Sequence, residues 1–196
     1  MSTPGPVTAA PTPSPTTAPT AAKTVRLTGN GIDTSAQLVG FGTPYTSART
    51  VFDSALGLPT KDTGEGDSFS DYGTCPGGKL RALEYGDGAL VLLFGDVDGP
   101  GLTFYQWTLQ EQGTVTDVPT ASALIGGTTY DFGIGTTVAQ LREGVGEKAL
   151  EVSAGDGPVG PNFSLADQSS GMFGQLTGTS PSDTAILLQA GEACGE

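Results

Sequence analysis

Two cysteines and no histidine decide most of the chemistry open to this chain. Without histidine there is no Ser-His-Asp or Cys-His nucleophile, no histidine zinc ligand and no side chain that ordinarily titrates near neutrality. Two thiols cannot complete a four-ligand zinc site, and Cys75 and Cys194 lie far outside CxxC spacing, which argues against a redox pair. Each cysteine stands close to glycine, in Cys75-Pro76-Gly77 and Cys194-Gly195. In an exported protein such an isolated pair is expected to form a disulfide, worth about 4–5 kcal/mol for so long a loop on the chain-entropy account. The plainer alternative is two unrelated thiols.

Carboxylates are the remaining candidates for catalysis. The chain has 21 acidic residues, so pairs at glycosidase spacing arise by accident. Asp62, Glu65, Asp67 and Asp71 form one acidic stretch, and Asp96 and Asp98 form an acidic turn. Either could offer oxygen ligands to calcium, but neither follows the D-x-D-x-D-G…E order, and solvated loops are the simpler expectation. No catalytic residue, metal site or cofactor is therefore assigned. Aromatics are the better lead. Tyr105 and Trp107 are two positions apart on one expected strand, a spacing that projects both from one face. Tyr85 is placed on the outer face of the neighbouring hairpin, so Tyr85, Tyr105 and Trp107 are read as a partner-binding patch. The alternative is that Trp107 fills the core.

The net charge of −13 opposes binding to phosphate backbones, and the basic residues Arg26, Arg49, Lys61, Lys79, Arg81, Arg142 and Lys148 form no stripe. Nucleic acid is thus disfavoured as a partner, and another protein is expected instead. The longest strongly apolar run, Ala89–Phe94, is a strand's length, so membrane insertion is not expected.

These residues must be positioned by short elements, because 31 glycines and 14 prolines favour many tight turns. Residues 1–23, with Pro4, Pro6, Pro11, Pro13, Pro15 and Pro19 among Thr and Ala, read as a disordered stalk. Stalks of this kind follow signal peptides or lipidated cysteines, which leaves room for a lipid anchor upstream in the precursor. Gly40-Phe41-Gly42-Thr43-Pro44 and Gly133-Ile134-Gly135-Thr136-Thr137 each open a helical pattern with Thr as N-cap. The first helix carries Ala48, Val51, Phe52, Ala55 and Leu56 on one face and ends at Gly57 and Pro59; the second carries Val138, Leu141 and Val145.

Strands are expected at 80–85, 89–94 and 102–109, then at 149–154, 162–166, 172–177 and 184–190. A three-residue loop, Gly86-Asp87-Gly88, would set Tyr85 opposite Ala89. That register puts Leu80, Ala82, Glu84, Leu90, Leu92 and Phe94 against the helix. The fold class expected is α+β: a tandem repeat of helix plus antiparallel β-meander in two layers, with repeats at 24–111 and 112–196.

The run Gly42-Thr43-Pro44 through Val51, then Leu56-Gly57-Leu58-Pro59-Thr60, resembles the helix signature of β-lactamase-inhibitor-protein-like and SmpA/OmlA-type lipoproteins. Residues 24–196 are also similar to exported proteins and lipoproteins of actinobacteria. The shared motifs are Tyr72-Gly73-Thr74-Cys75-Pro76-Gly77, Phe104-Tyr105-Gln106-Trp107, Gly135-Thr136-Thr137-Val138 and Gly191-Glu192-Ala193-Cys194-Gly195-Glu196. The resemblance implies an extracellular or envelope-attached protein that binds another protein. The function expected is a non-enzymatic, secreted or envelope-tethered interaction module. Alternatives are a secreted inhibitor of a hydrolase (β-lactamase or peptidase) and a carboxylate-dependent cell-wall or polysaccharide hydrolase.

Overall fold

In the computed structural model, residues 25–111, 119–125, 127–156, 159–165 and 171–195 are described. The stalk assigned to 1–23 lies outside them. The described residues form fourteen strands and two short helices. They run β1 (Val25–Thr28), β2 (Gly31–Thr34), β3 (Leu38–Gly40), α1 (Tyr45–Ala55), β4 (Lys61–Asp62), β5 (Gly66–Ser70), β6 (Gly73–Tyr85), β7 (Leu90–Gly95) and β8 (Thr103–Gln110). There follow β9 (Thr120–Ile125), β10 (Thr128–Phe132), α2 (Val138–Val145), β11 (Leu150–Ser153), β12 (Asn162–Leu165), β13 (Met172–Leu176) and β14 (Ala185–Gly191). No helix among the described residues is long and apolar enough to cross a membrane.

The fold is mostly β, which corrects the expected tandem α+β plan. The Gly/Thr-rich segments before the helices are hairpins and not linkers: β2–β3 and β9–β10 each pair antiparallel. Strand β1 joins the two hairpins, antiparallel to β2 and parallel to β9, giving a five-stranded mixed sheet in the order β10-β9-β1-β2-β3. The two meanders do not stay separate either. Strand β8 pairs antiparallel with β14, fusing them into a nine-stranded sheet, β11-β12-β13-β14-β8-β7-β6-β4, with β5 also on β6. A boundary at 111/112 therefore runs through both sheets.

What the two Gly-x-Gly-Thr motifs share is local. The Gly42 N–H donates to Phe104 O (2.7 Å) and Phe104 N–H to Thr43 O (2.9 Å); Gly135 N–H donates to Ala185 O (2.8 Å) and Ala185 N–H to Thr136 O (3.0 Å). Each motif thus pins a helix start onto one of the two strands that meet at the sheet's centre. Their caps differ. Thr137 caps α2 in a full capping box with Gln140, whereas α1 starts after Pro44 with no side-chain cap, because the Thr43 hydroxyl donates instead to Gly40 O (2.7 Å).

Both helices and the small sheet cover one face of the large one. The core between them buries Leu27 and Ile32 from the small sheet and Phe52 and Leu141 from the helices. The large sheet contributes a cross-strand row, Leu83–Leu92–Trp107–Ala190–Met172. Trp107 is fully buried here, and its indole N–H donates to Thr28 O at 2.8 Å, tying the two sheets together. Burial of this kind is worth about 25 cal/mol per Å² of apolar area, so the large side chains dominate.

Two register details matter for the site. Tyr85 pairs with Leu90 and not Ala89, so the β6–β7 loop has four residues, Gly86 to Ala89. A one-residue slip turns a strand over. Leu83 and Tyr85 consequently join Leu90, Leu92 and Phe94 in the core, while Leu80, Ala82 and Glu84 take the other face. In β8, Leu93 pairs with Gln106 but Phe94 pairs with Phe104, so Tyr105 is the extra residue of a β-bulge.

Candidate functional site

The bulge overturns the expected aromatic patch. Because Tyr105 is inserted between Phe104 and Gln106, Phe104 and Trp107 face the core while Tyr105 faces the opposite side, with Leu80, Ala82, Val91 and Leu93. Tyr85 also points into the core, by the register slip above, and is 7 % exposed. Its hydroxyl is buried without a hydrogen-bond partner. Of the three residues assigned to partner binding, none presents an accessible ring: Trp107 is 0 % and Tyr105 5 % exposed.

The face that remains open lies on the far side of the large sheet. One cross-strand row spans it from edge to edge: Lys61, Glu84, Val91, Thr108, Gln189, Phe173, Ser164 and Glu151. The neighbouring row holds Gln110, Leu187, Gln175, Asn162 and Ser153. Uncharged amides and hydroxyls thus dominate the middle, with charges toward the edges.

At the β6–β8 end this face sinks into a depression of about 520 Å³. Its floor is Val91, Leu93, Gln106, Thr108, Gln110 and Gln189. One wall is the β6–β7 loop at Asp87 and Gly88, and the other is the β5–β6 turn at Asp71 and Tyr72, with Cys194 beside it. Asp87 holds a positive φ of 56°, a conformation a short Asx side chain tolerates. The turn is secured from the C-terminus. Cys75 and Cys194 are joined in a disulfide, and Thr74 and Gly195 exchange two backbone hydrogen bonds of 2.8 Å. The Tyr105 hydroxyl donates to Cys194 Sγ at 3.3 Å from below, since a disulfide sulfur carries no proton.

Close backbone approach shapes this corner. At Gly191, with φ of 101°, a Cβ would lie 2.0 Å from Tyr105 O, so only glycine lets β14 meet the bulge.

Three polar side chains in the depression are tied together. Glu84 Oε1 accepts from Lys61 Nζ (2.9 Å) and from the Tyr72 hydroxyl. Burial disfavours the Glu84 charge, but these two hydrogen bonds overcome it and hold the carboxyl below its ordinary value. Burial, reinforced by the Glu84 hydrogen bond, pushes Tyr72 up to about 12. The bond to Glu84 raises Lys61. All three move away from neutrality, so none is poised as an acid, base or nucleophile at pH 7.

Three members of the acidic stretches singled out in the sequence, Asp62, Glu65 and Asp96, serve as struts. Asp62 accepts from Arg81 Nε and Nη2 (2.8 Å each) and from Arg49 Nη1 (2.7 Å), and Arg49 Nε also donates to Asp53 (2.6 Å). The Arg81 bonds hold the Asp62 carboxyl well below the carboxylate range, and the network straps α1 to β4 and β6. Arg81 stacks over the Tyr45 ring at 4.3 Å. Asp96 accepts from the N–H groups of Gly78 (2.7 Å) and Lys79 (2.8 Å), and Glu65 pairs with Lys79. Among the described residues no group of three or more acids or cysteines is arranged to hold a metal ion.

Compared with protein-family models, curated proteins and solved structures, the chain matches none of them.

Proposed function

We propose that this chain is a non-enzymatic protein-interaction module, secreted or tethered to the cell envelope, and that it binds through the open face of the nine-stranded sheet. One observation carries the reading: two cross-strand rows whose middle is mostly uncharged amides and hydroxyls lie open beside a walled depression in which Lys61, Tyr72 and Glu84 are tied to one another. A surface rich in amides and hydroxyls supplies hydrogen bonds to a partner without the cost of desolvating full charges. The disulfide supports export, since such bonds persist in oxidising compartments. Kinship with β-lactamase-inhibitor-protein-like lipoproteins belongs to the same proposal, on the motifs named above.

The test is affinity capture from envelope extract and culture fluid. Ser164→Arg and Gln175→Arg on the open face should abolish recovery of a reproducible partner, and Thr129→Arg on the small sheet should not. Equal capture by all three variants would refute the open face as the binding surface.

A further inference from the structure

We infer that the depression beside the β5–β6 turn is a pocket for the guanidinium of an arginine presented by the partner protein. The inference rests on the open face being the interaction surface, and gives that surface a chemical preference.

The first observation is an acceptor on a buried residue, with no donor for it among the described residues. Gln106 is 6 % exposed and lines the floor. Its Nε2 donates to Thr108 Oγ1 at 3.1 Å. Its Oε1 lies 3.8 Å from Cys194 Sγ, but that sulfur is in the disulfide and has no proton to give. Among the described residues no proton is thus donated to this oxygen, and a ligand that supplies an N–H or O–H gains a hydrogen bond there.

Charge is the second observation. The lining holds three carboxylates, Asp71, Glu84 and Asp87, against the single ammonium of Lys61. The whole chain, at −13, adds a field that draws cations. Both bonds from Tyr72 and Lys61 fall on Glu84 Oε1, and a carboxylate has room for more. The pocket therefore asks for a cation rich in donors and free of acceptors. Its acceptors are spread over floor and both walls, which suits the planar, five-donor guanidinium better than the compact ammonium of lysine.

The probe is a capped Gly-Gly-Arg-Gly-Gly peptide, alongside its citrulline and lysine counterparts, titrated into the full chain by NMR. The arginine peptide should shift the Gln106 carboxamide and Thr108 resonances at millimolar concentration. Losing the charge in citrulline should weaken binding about tenfold or more, because charge-assisted hydrogen bonds are roughly twice as strong as neutral ones. Asp87→Asn, at an exposed turn whose conformation Asn accepts, should weaken the arginine peptide severalfold, and added salt should do the same.

Gln106→Leu should abolish the shift at Thr108, and its unchanged melting curve would show that the fold survives. Equal binding of the citrulline peptide, or no perturbation at Gln106, would overturn the inference. Partner capture separates the two claims. Capture lost in Ser164→Arg but kept in Asp87→Asn and Gln106→Leu would leave the interaction module standing and remove the guanidinium pocket.

Discussion

The indole nitrogen of Trp107, at the centre of the nine-stranded sheet, donates to the main-chain oxygen of Thr28 at the end of β1, 2.8 Å away across the gap between the sheets. Trp107→Ala should cost about 3–5 kcal/mol of stability, as other buried aromatic truncations do. Trp107→Phe keeps most of the apolar bulk but removes the hydrogen bond to the Thr28 oxygen, and should fall short of that loss. Emission from this single Trp should be blue-shifted and resistant to acrylamide; red-shifted, readily quenched emission would contradict the placement.

Cys75 and Cys194 stand 119 residues apart, so their bond closes a loop that runs from β6 through β14. Reducing it should lower the stability measured by denaturant titration by about 2–5 kcal/mol. Because the bond also holds the β5–β6 turn, reduction should broaden the Tyr72 and Gln106 resonances at denaturant concentrations where the fold persists. An unchanged midpoint, with both thiols alkylated, would count against this.

Acid should act through Asp62 and Glu84. Both carboxyls lie below their ordinary values in the fold, so each stabilises it fully above about pH 4 and loses that contribution as pH falls through the lower folded values. Relief of the net negative charge works in the opposite sense. The comparison that isolates the strut is therefore a melting series below pH 4 on Asp62→Asn, which should show a flatter acid limb than the parent.

At the basic end the sign reverses. Tyr72, raised to about 12, keeps its proton longer in the fold than in the unfolded chain. Its contribution is complete below about pH 10 and lost as pH rises toward the folded value. Tyr85 and Tyr105 are raised by burial and act alike, so Tyr72→Phe should lessen the basic limb without abolishing it.

Two glycines should resist substitution for different reasons. At Gly174 a Cβ would meet the buried Phe163 ring at 2.2 Å, and overpacking of this kind costs about 1–3 kcal/mol. At Gly191 the obstacle is backbone, Tyr105 O at 2.0 Å, combined with a positive φ. Gly191→Ala should therefore be the more damaging, and should disturb Tyr105 and Gln106 in NMR spectra while Gly174→Ala leaves them in place.

Seven strands, from β6 to β8 and from β11 to β14, were legible as apolar runs bounded by Gly, Pro or Asp. The strands of the small sheet were not. Segments such as Gly31–Thr34 and Leu38–Gly40 are three or four residues long and carry too few apolar side chains to show alternation. Their strand state comes from pairing across the chain. The bulge at Tyr105 leaves no mark in composition, so a period-two count put Tyr105 and Trp107 on one face. A signal for the true face was present in Gln106-Trp107-Thr108-Leu109-Gln110, whose polar residues alternate with core residues. The pocket itself draws on positions 61, 72, 84, 106 and 189, and only register brings those together.

The parallel pairing of β1 with β9 has a consequence for how the protein is made. The first described strand finds one of its two partners only after residue 120 has emerged, and β8 likewise waits for the distant β14. Local contacts cannot complete either sheet, so loop-closure entropy must be met before the long-range pairings reward it, and folding should be slow for a chain of this size. During that interval the apolar β7 and the edge of β8 stand uncovered, ready to pair with strands of other molecules. A polypeptide delivered in N-to-C order keeps those surfaces uncovered until β14 arrives.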